Sequence, residues 1–282
     1  MAIKVIDVSE HNGTINWGLV KTQIGGAVLR CGYGDNITSQ DDKQFLRNLS
    51  ECERLGIPHG VYLYSYANND AQAKSELAHI LRLIKMHKFE LPIFLDVEES
   101  GTQGYAARAC TIVCEGLKAA GFTPGVYSST SWWNNYLFTV TKYARWVAHW
   151  AQTCGYTGNK IMWQYTENGR INGINGNVDL NYYYGNIETR KTTNAVAVEV
   201  LAGKWGNGAE RKKRLEAAGY SYNSVQQAVN DLVKATSKKT NAEIAKEVIA
   251  GKWGNGTDRK NRLTAAGYDF AAVQSEVNKI LR

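Results

Sequence analysis

At 282 residues, 44 % of them hydrophobic, the chain can bury a core of its own, and one domain plus a smaller one is the natural division. No apolar run approaches the ~18 residues of a membrane span, and five cysteines at irregular spacing argue against a disulfide framework and suit a reducing cytoplasm. The formal charge of +7 lies wholly in the last third. Residues 1–186 hold 16 Lys+Arg and 16 Asp+Glu, and residues 187–282 hold 17 and 10. A neutral body with a basic tail points to a polyanionic partner, be it nucleic acid, membrane or bacterial wall polymer.

In chain order, the opening MAIKVIDVSEHNG has no apolar stretch followed by a small-residue cleavage site, so no Sec signal is expected. Eight short segments then read as strands: Ile3–Ser9, Gly26–Tyr33, Gly60–Ala67, Pro92–Glu98, Pro124–Ser129, Ala144–Ala151, Lys160–Thr166 and Asn177–Tyr183. Helical patterns lie between the early ones, at Asp41–Leu55, Ala71–His87 and Gly104–Ala120. Alternating strands and helices predict βαβ units and a parallel sheet. Eight strands before residue 187, with helices thinning toward the end, predict an irregular (β/α) barrel over a doubly wound open sheet.

The stretch GNIETRKTTNA, Gly185–Ala195, is polar and aperiodic and reads as a linker. Beyond it the chain repeats itself at an offset of 48 residues, from Val200 and again from Val248, with 20 identities over 35 aligned positions. That is a tandem duplication. Each copy has an apolar helical run, a GKWGNG turn, a basic helix, an AGY stop and a last amphipathic helix, which predicts two small three-helix repeats. The expected boundaries are 1–186 for the barrel, 187–194 for a linker, 195–235 for the first repeat, 236–241 for a second linker within the flexible joint Lys234–Glu243, and 242–282 for the second repeat.

One strand raises a chemical question. PIFLDVEES, Pro92–Ser100, is apolar through Leu95 and then carries Asp96, Glu98 and Glu99. Residues i and i+2 of a strand share a side, roughly 6.5–7 Å apart, so Asp96 and Glu98 face together and Glu99 faces away. Barrel enzymes place their sites where strands end at the C-terminal face. Asp7 and Asp179 end strands one and eight, neighbours in a closed barrel, so four carboxylates converge. Like charges this close raise at least one pKa and supply a proton donor near neutral pH, as a glycosidase needs. A strand-end Asp also serves as a helix N-cap, and a carboxylate cluster also binds Mg²⁺ or Ca²⁺. Aromatics favour sugar: Tyr62, Tyr64 and Tyr66 alternate along strand three, Tyr127 closes strand five, and Trp146 and Trp150 share a face of strand six. Trp17 and Trp163 are expected in the core. The five histidines form no metal signature, Cys110 and Cys114 lack a second ligand pair, and no cysteine stands in a nucleophile turn. Neither metal nor cofactor is expected.

Taken together, DVSEHNG, LRCGYG, GVYLYSYA, FLDVEE, GVYSS and WQYTENGRINGINGNVDLN, in this order over Met1–Gly185, resemble glycoside hydrolase family 25, the Chalaropsis-type lysozymes. The repeats, with WGNG, RxxRL, AGY and VQ in both copies, resemble the choline-independent cell-wall-binding repeat of some phage lysozymes. The resemblance implies a phage endolysin or prophage wall hydrolase, an N-acetylmuramidase cutting the β-1,4 bond after N-acetylmuramic acid. By position Glu98 matches the general acid, Asp96 its strand partner, and Asp7 and Asp179 the flanking carboxylates. One strand carrying both Asp96 and Glu98 suits substrate assistance by a 2-acetamido group; an inverting route with Asp7 or Asp179 as base is the alternative. Tyr62, Tyr64, Tyr127, Trp150 and Gln164 are the expected substrate contacts.

In the repeats, Trp205 and Trp253 are either ligand platforms or core anchors. The recurring Arg211 and Arg259, Arg214 and Arg262, and Gln226 and Gln274 read as muropeptide contacts or as a solvated basic face. The expected partner is bacterial peptidoglycan, glycan at the barrel and muropeptide at the repeats, with no nucleic acid, no membrane, and a monomer, a dimer remaining open. The expected place is the host cytoplasm until release to the wall. Two other classes stay open: a non-catalytic carbohydrate-binding barrel, and an enzyme tethered to nucleic acid by its tail.

Overall fold

The structure, a computed structural model, describes residues 2–237 and 239–282. Eight strands close into a barrel in sequence order: β1 (Ile3–Val8), β2 (Gly26–Tyr33), β3 (His59–Tyr64), β4 (Ile93–Asp96), β5 (Pro124–Ser129), β6 (Ala144–Ala148), β7 (Met162–Gly169) and β8 (Val178–Tyr183). The first seven run parallel, while β8 pairs antiparallel with both β7 and β1. This corrects the expectation of a wholly parallel sheet. A parallel return needs a crossover of a dozen or more residues, and only residues 170–177 join β7 to β8.

The early crossovers are helical: α1 (Trp17–Val20), α2 (Phe45–Leu55), α3 (Asp70–Ile84) and α4 (Ala106–Ala119), followed by the six-residue α5 (Thr130–Asn135). The early strands therefore have two covered faces, and β4 is buried at all four positions. Outward-facing Ile6, Leu29, Val61, Leu63, Leu95 and Val147 pack against the helices. Inward, Val5, Val28, Phe94, Trp146, Met162 and Tyr183 form a second apolar cluster that plugs the barrel. Trp146 is its centre, with ring centroids 5.1 Å from Phe94 and 4.5 Å from Tyr127. Gly125 makes the room, because a Cβ there would stand 2.4 Å from Phe94 Cδ1.

The basic third forms helices α6 (Thr193–Leu201), α7 (Gly208–Ala217), α8 (Tyr222–Ser237), α9 (Asn241–Ile249), α10 (Gly256–Ala265) and α11 (Phe270–Ile280), three per copy. In the second copy Ile244, Val248, Leu263, Val273 and Val277 pack with Trp253, Tyr268 and Phe270. At the 48-residue offset Val196, Val200, Leu215 and Val225 are buried in the first. Lys238, inside the expected second linker and joint, lies outside the described residues, and helix α8 occupies 236 and 237 of that linker. The chain divides into two compact units at Gln226/Gln227, within α8. Among the described residues no helix is long and apolar enough to cross a membrane.

The segment read from its composition as a linker, 187–194, is a packed strap. Arg190 is buried and its guanidinium donates to Lys88 O and Glu90 Oε1 at 3.0 Å each and to Gly219 O at 2.5 Å, standing 3.5 Å from Glu53 Oε1 and 5.2 Å from the Tyr220 ring centroid. Gly56, at φ 65°, ends α2 and lets the strap pass, since a Cβ would meet Arg190 O at 2.7 Å. The strap also opens the repeat itself: Thr192 caps α6 as Thr240 caps α9, and Lys191 pairs with Glu199 as Lys239 pairs with Glu247. A polar, aperiodic composition reads as a linker, but here its one buried cation, Arg190, closes on the acids Glu53 and Glu90. Removing one partner of a buried ion pair strands the others, so Arg190→Ala is expected to lower the stability of the unit ending at Gln226 by about 3 kcal/mol. Urea unfolding followed by tryptophan fluorescence measures this, and a loss below about 1 kcal/mol would mean that Glu53 and Glu90 are solvated after all.

Candidate active site

Strand alternation continues above the Trp146 plug. The next inward residues are Asp7, Arg30, Tyr62, Asp96, Tyr127, Gln164 and Asn181, each two positions along its strand from a residue of the plug or its glycine gaps. They open on a pocket of ≈ 260 Å³ that is lined by every residue the sequence proposed for the barrel site: Asp7, Asp96, Glu98, Asp179, Tyr62, Tyr64, Tyr127, Trp150 and Gln164. It is also lined by Arg30, Trp146 and Glu167. Period-two counting from Val28 and from Asp179 would have found Arg30 and Asn181.

A hydrogen-bond chain fixes one wall. Trp146 Nε1 donates to Asn181 Oδ1 at 2.8 Å, and Asn181 Nδ2 donates to Asp7 Oδ2 at 2.7 Å. Gln164 Nε2 donates to both Asp7 oxygens at 3.2–3.3 Å, and its Oε1 accepts from Tyr127 Oη and Trp150 Nε1, both at 3.0 Å. Gln164 is thus committed on both ends of its amide, as an organiser of Asp7, Tyr127 and Trp150. Asp7 stands opposite Asp179 in the β1–β8 register. Arg30 is held by Glu10 at 2.9 Å and Asp42 at 2.8 Å, a fixed positive charge beside the carboxylates.

On β4, Asp96 is 4 % exposed and its Oδ1 is buried with no hydrogen-bond partner. Glu98, half-buried, makes no side-chain hydrogen bond among the described residues. Glu99 does not simply face away: the strand ends at Asp96, and Tyr64 Oη donates to Glu99 Oε2 at 3.0 Å on the pocket rim. Of the tryptophans after β5, Trp133 is buried and donates to Trp146 O at 3.3 Å, so it supports the wall. Trp17 and Trp163 lie in the core as expected, and Trp150 is 55 % exposed at the mouth. Among the described residues no cluster of His, Cys, Asp and Glu is arranged to hold a metal ion.

All four carboxyls are held above the usual carboxylate range, burial being the largest cause in each. Asp96 also feels Glu98 and Asp7, and Arg30 opposes the rise. Glu98 feels Asp7 and Glu99. Between Asp7 and Asp179 a hydrogen bond draws Asp7 down and Asp179 up, alongside Asn181 and Gln164, which also favour the Asp7 anion. The shared proton of that pair therefore sits on Asp179, which is pushed up to about 9.

In the repeats, Trp205 Nε1 donates to Glu199 and Trp253 Nε1 to Glu247, both at 3.1 Å, with Tyr220 and Tyr268 edge-on at 6.0 Å. Arg211 donates to Gly206 O, to Asn207 and to Gln226 Oε1, and Arg259 repeats this with Gly254, Asn255 and Gln274. These arginines hold the Gly-rich turn. Arg214 and Arg262 are exposed, each paired along its helix with Glu210 or Asp258. Glu199 and Glu247, not proposed from the sequence, are the common partners of Lys and Trp in both copies.

Residues 6–174 match the family model described as glycosyl hydrolases family 25, and residues 194–233 and 242–281 each match the CW_7 repeat. The lysozyme of Streptococcus phage Cp-7 is 28 % identical over 250 residues, covering 80 % of this chain and 69 % of that protein. Lysozyme M1 of Streptomyces globisporus is 28 % identical over 204 residues, covering 65 % and 68 %. Among solved structures, the modular autolysin LytC from Streptococcus pneumoniae, in complex with a synthetic peptidoglycan ligand, superposes with a TM-score of 0.57 at 32 % identity over 65 % of this chain. This chain spans about half, 47 %, of that autolysin chain.

The protonated Asp179 has a consequence for stability. Between its unfolded value near 3.8 and about 9 the folded state binds the extra proton, so this contribution is full below the lower value and is lost as pH rises through the upper. Stability should therefore fall from pH 5 to pH 9, and Asp179→Asn should flatten that fall. Urea midpoints across the range test it, and an unchanged slope in the variant would place the proton elsewhere.

Proposed function

The chain belongs to glycosyl hydrolases family 25, and from that premise we propose that it is an endolysin-type N-acetylmuramidase, hydrolysing the β-1,4 bond between N-acetylmuramic acid and N-acetylglucosamine of bacterial peptidoglycan. The observation that carries the reading is the pairing of Glu98, a raised carboxyl free of side-chain hydrogen bonds, with the buried, unpartnered Oδ1 of Asp96 in one pocket. The two titrate as one system. When the acetamido N–H of a bound muramic acid donates to Asp96 Oδ1, it stabilises the Asp96 anion and leaves the proton on Glu98.

The reaction then runs in two steps. The acetamido carbonyl oxygen attacks the anomeric carbon as its bond to the leaving oxygen breaks, and that oxygen takes the Glu98 proton. The Asp96 carboxylate stabilises the cationic oxazolinium ring. Glu98, now a base, deprotonates a water that reopens the ring with retained configuration. Tyr62, Tyr64, Tyr127 and Trp150 line the sugar's pocket. The inverting alternative has one observation in its favour: against the burial that raises it, hydrogen bonds from Asn181 and Gln164 favour the anion of Asp7 in the pocket, as a water-activating base requires. Against Asp179 as that base stands its proton.

The division proposed for the chain keeps a catalytic barrel to residue 186, a short connector, and wall-binding repeats over 195–235 and 242–282, the connector being the packed strap. Muropeptide contact falls to the exposed Arg214 and Arg262 and the accessible edges of Trp205 and Trp253. Arg211, Arg259, Gln226 and Gln274 shape the turn beside them.

Glu98→Gln is expected to lower the rate on purified peptidoglycan by about 10²–10⁴-fold. Mass spectrometry of borohydride-reduced fragments should find new reducing ends on muramic acid, and reducing ends on glucosamine instead would reverse the bond. Proton NMR of the first-formed anomer separates the two routes: the β product supports assistance, while an α product lost in Asp7→Asn supports inversion. The pair Arg214→Ala and Arg262→Ala should weaken sedimentation with cell walls about tenfold, as loss of a charged contact in each copy implies; wild-type binding would return these arginines to solvent.

A further inference from the structure

We propose that a cationic hollow formed by Arg145 and Lys160, at the end of the barrel opposite the carboxylate pocket, binds a phosphate group of a phosphodiester-linked wall polymer. The wall as source of that polymer rests on the reading of the chain as a peptidoglycan hydrolase. The hollow measures ≈ 410 Å³, and Thr141, Tyr143, Arg145, Asn159 and Lys160 line it where β6 begins and the chain approaches β7. Strands β4 to β7 are parallel and the carboxylate pocket lies at their far ends, so this hollow stands away from the reaction.

Both cations are held in place and neither is neutralised. Arg145 Nη1 donates to Tyr156 Oη at 2.7 Å, and the guanidinium lies 5.2 Å from the centroid of the Trp133 ring. Lys160 Nζ donates to the carbonyl of the same residue, Tyr156 O, at 3.1 Å. Tyr156 is buried, its ring centroid 6.2 Å from that of Trp133, so one anchored residue aligns the two charges. Gly158 lets the chain fold back over this ring, because a Cβ there would stand 2.6 Å from Tyr156 Oη. Among the described residues neither cation pairs with a carboxylate, and the Nε and Nη2 edge of Arg145 has no partner. Glu115, the acid bonded to the lining, accepts from the hydroxyl of Tyr143 at 2.7 Å instead.

Two half-buried like charges on one wall repel, a cost that a bound anion removes. Phosphate suits the pair better than carboxylate. A carboxylate is satisfied by the arginine fork alone, whereas the tetrahedral oxygens of a phosphate engage the fork and the ammonium point charge together. The hollow is larger than one phosphate, and the exposed Thr141 and Asn159 offer a hydroxyl and an amide to the polyol or sugar on either side of it. Tyr143 is the single ring in the lining, which gives successive bases no stacking platform and sets nucleic acid aside.

The test is calorimetric titration of the full chain with a defined glycerol phosphate oligomer, beside N-acetylalanine and an oligothymidylate of equal charge. The wild type should bind the glycerol phosphate oligomer, more weakly as salt rises, and Lys160→Gln should lower the affinity at least about tenfold, as for one lost charged contact. Arg145→Lys, which keeps the charge beside Trp133 and loses the fork, should lower it about threefold. Binding should persist when Arg214→Ala and Arg262→Ala are combined, and both hollow variants should hydrolyse phosphate-free peptidoglycan at the wild-type rate. No binding, or an affinity unchanged in both hollow variants, would overturn the site and assign any binding to the basic repeats. Equal affinity for N-acetylalanine, lost in the same variants, would overturn phosphate as the group, and tighter binding of the oligothymidylate would overturn the wall as its source. Failure of the wild type to hydrolyse peptidoglycan would sink the hydrolase reading by itself, whatever the titrations show of the hollow.

Discussion

The site depends on one geometric constraint: in a closed barrel, successive side chains of every strand alternate between lumen and outer layer. Trp146 and Phe94 fill one lumen layer and exclude water from below. The layer above then receives, from seven different strands, side chains two positions along from that layer. Carboxylates from β1, β4 and β8 arrive together because the alternation has the same phase in all three. A one-residue slip in any strand would send its acid outward and bring an apolar neighbour such as Leu95 or Leu180 into the cleft.

That placement sets the electrostatics. Several acids on a dry floor cannot all be ionised. The protein resolves the conflict unequally: Asn181 and Gln164 oppose the rise that burial imposes on Asp7, Asp179 is pushed up to about 9, and Arg30 tempers the rise at Asp96. Glu98 makes no side-chain hydrogen bond among the described residues, as the proton donor of the proposed mechanism requires. On the proposed mechanism, substrate completes the set by occupying a buried oxygen that the protein leaves bare in the pocket, Asp96 Oδ1.

The basic third obeys a different economy. Each small repeat uses its Trp for packing and for a hydrogen bond to a Glu, so the ring is anchored while one edge stays accessible. The repeated Arg and Gln residues close the turn beside it, and identical contacts at an offset of 48 residues account for why these polar positions duplicate as faithfully as the apolar ones. The excess charge is therefore partly structural: Arg190, Arg211 and Arg259 are engaged with backbone carbonyls and buried acids.

The sequence alone determined the eight strands, the tandem repeat, the phase that gathers Asp7, Asp96, Glu98 and Asp179, and the family likeness, because each is written in local periodicity or in a direct run of residues. It missed the antiparallel β8, since strand direction depends on the length of a connection that has no helix to mark it. It also missed the docked strap and the double engagement of Gln164. Those belong to the tertiary structure: whether Arg190 is solvated or buried, and whether an amide faces substrate or a neighbouring carboxylate, is decided by groups up to 157 positions away in the chain. Periodicity says which way a side chain points; only the closed barrel says what it meets.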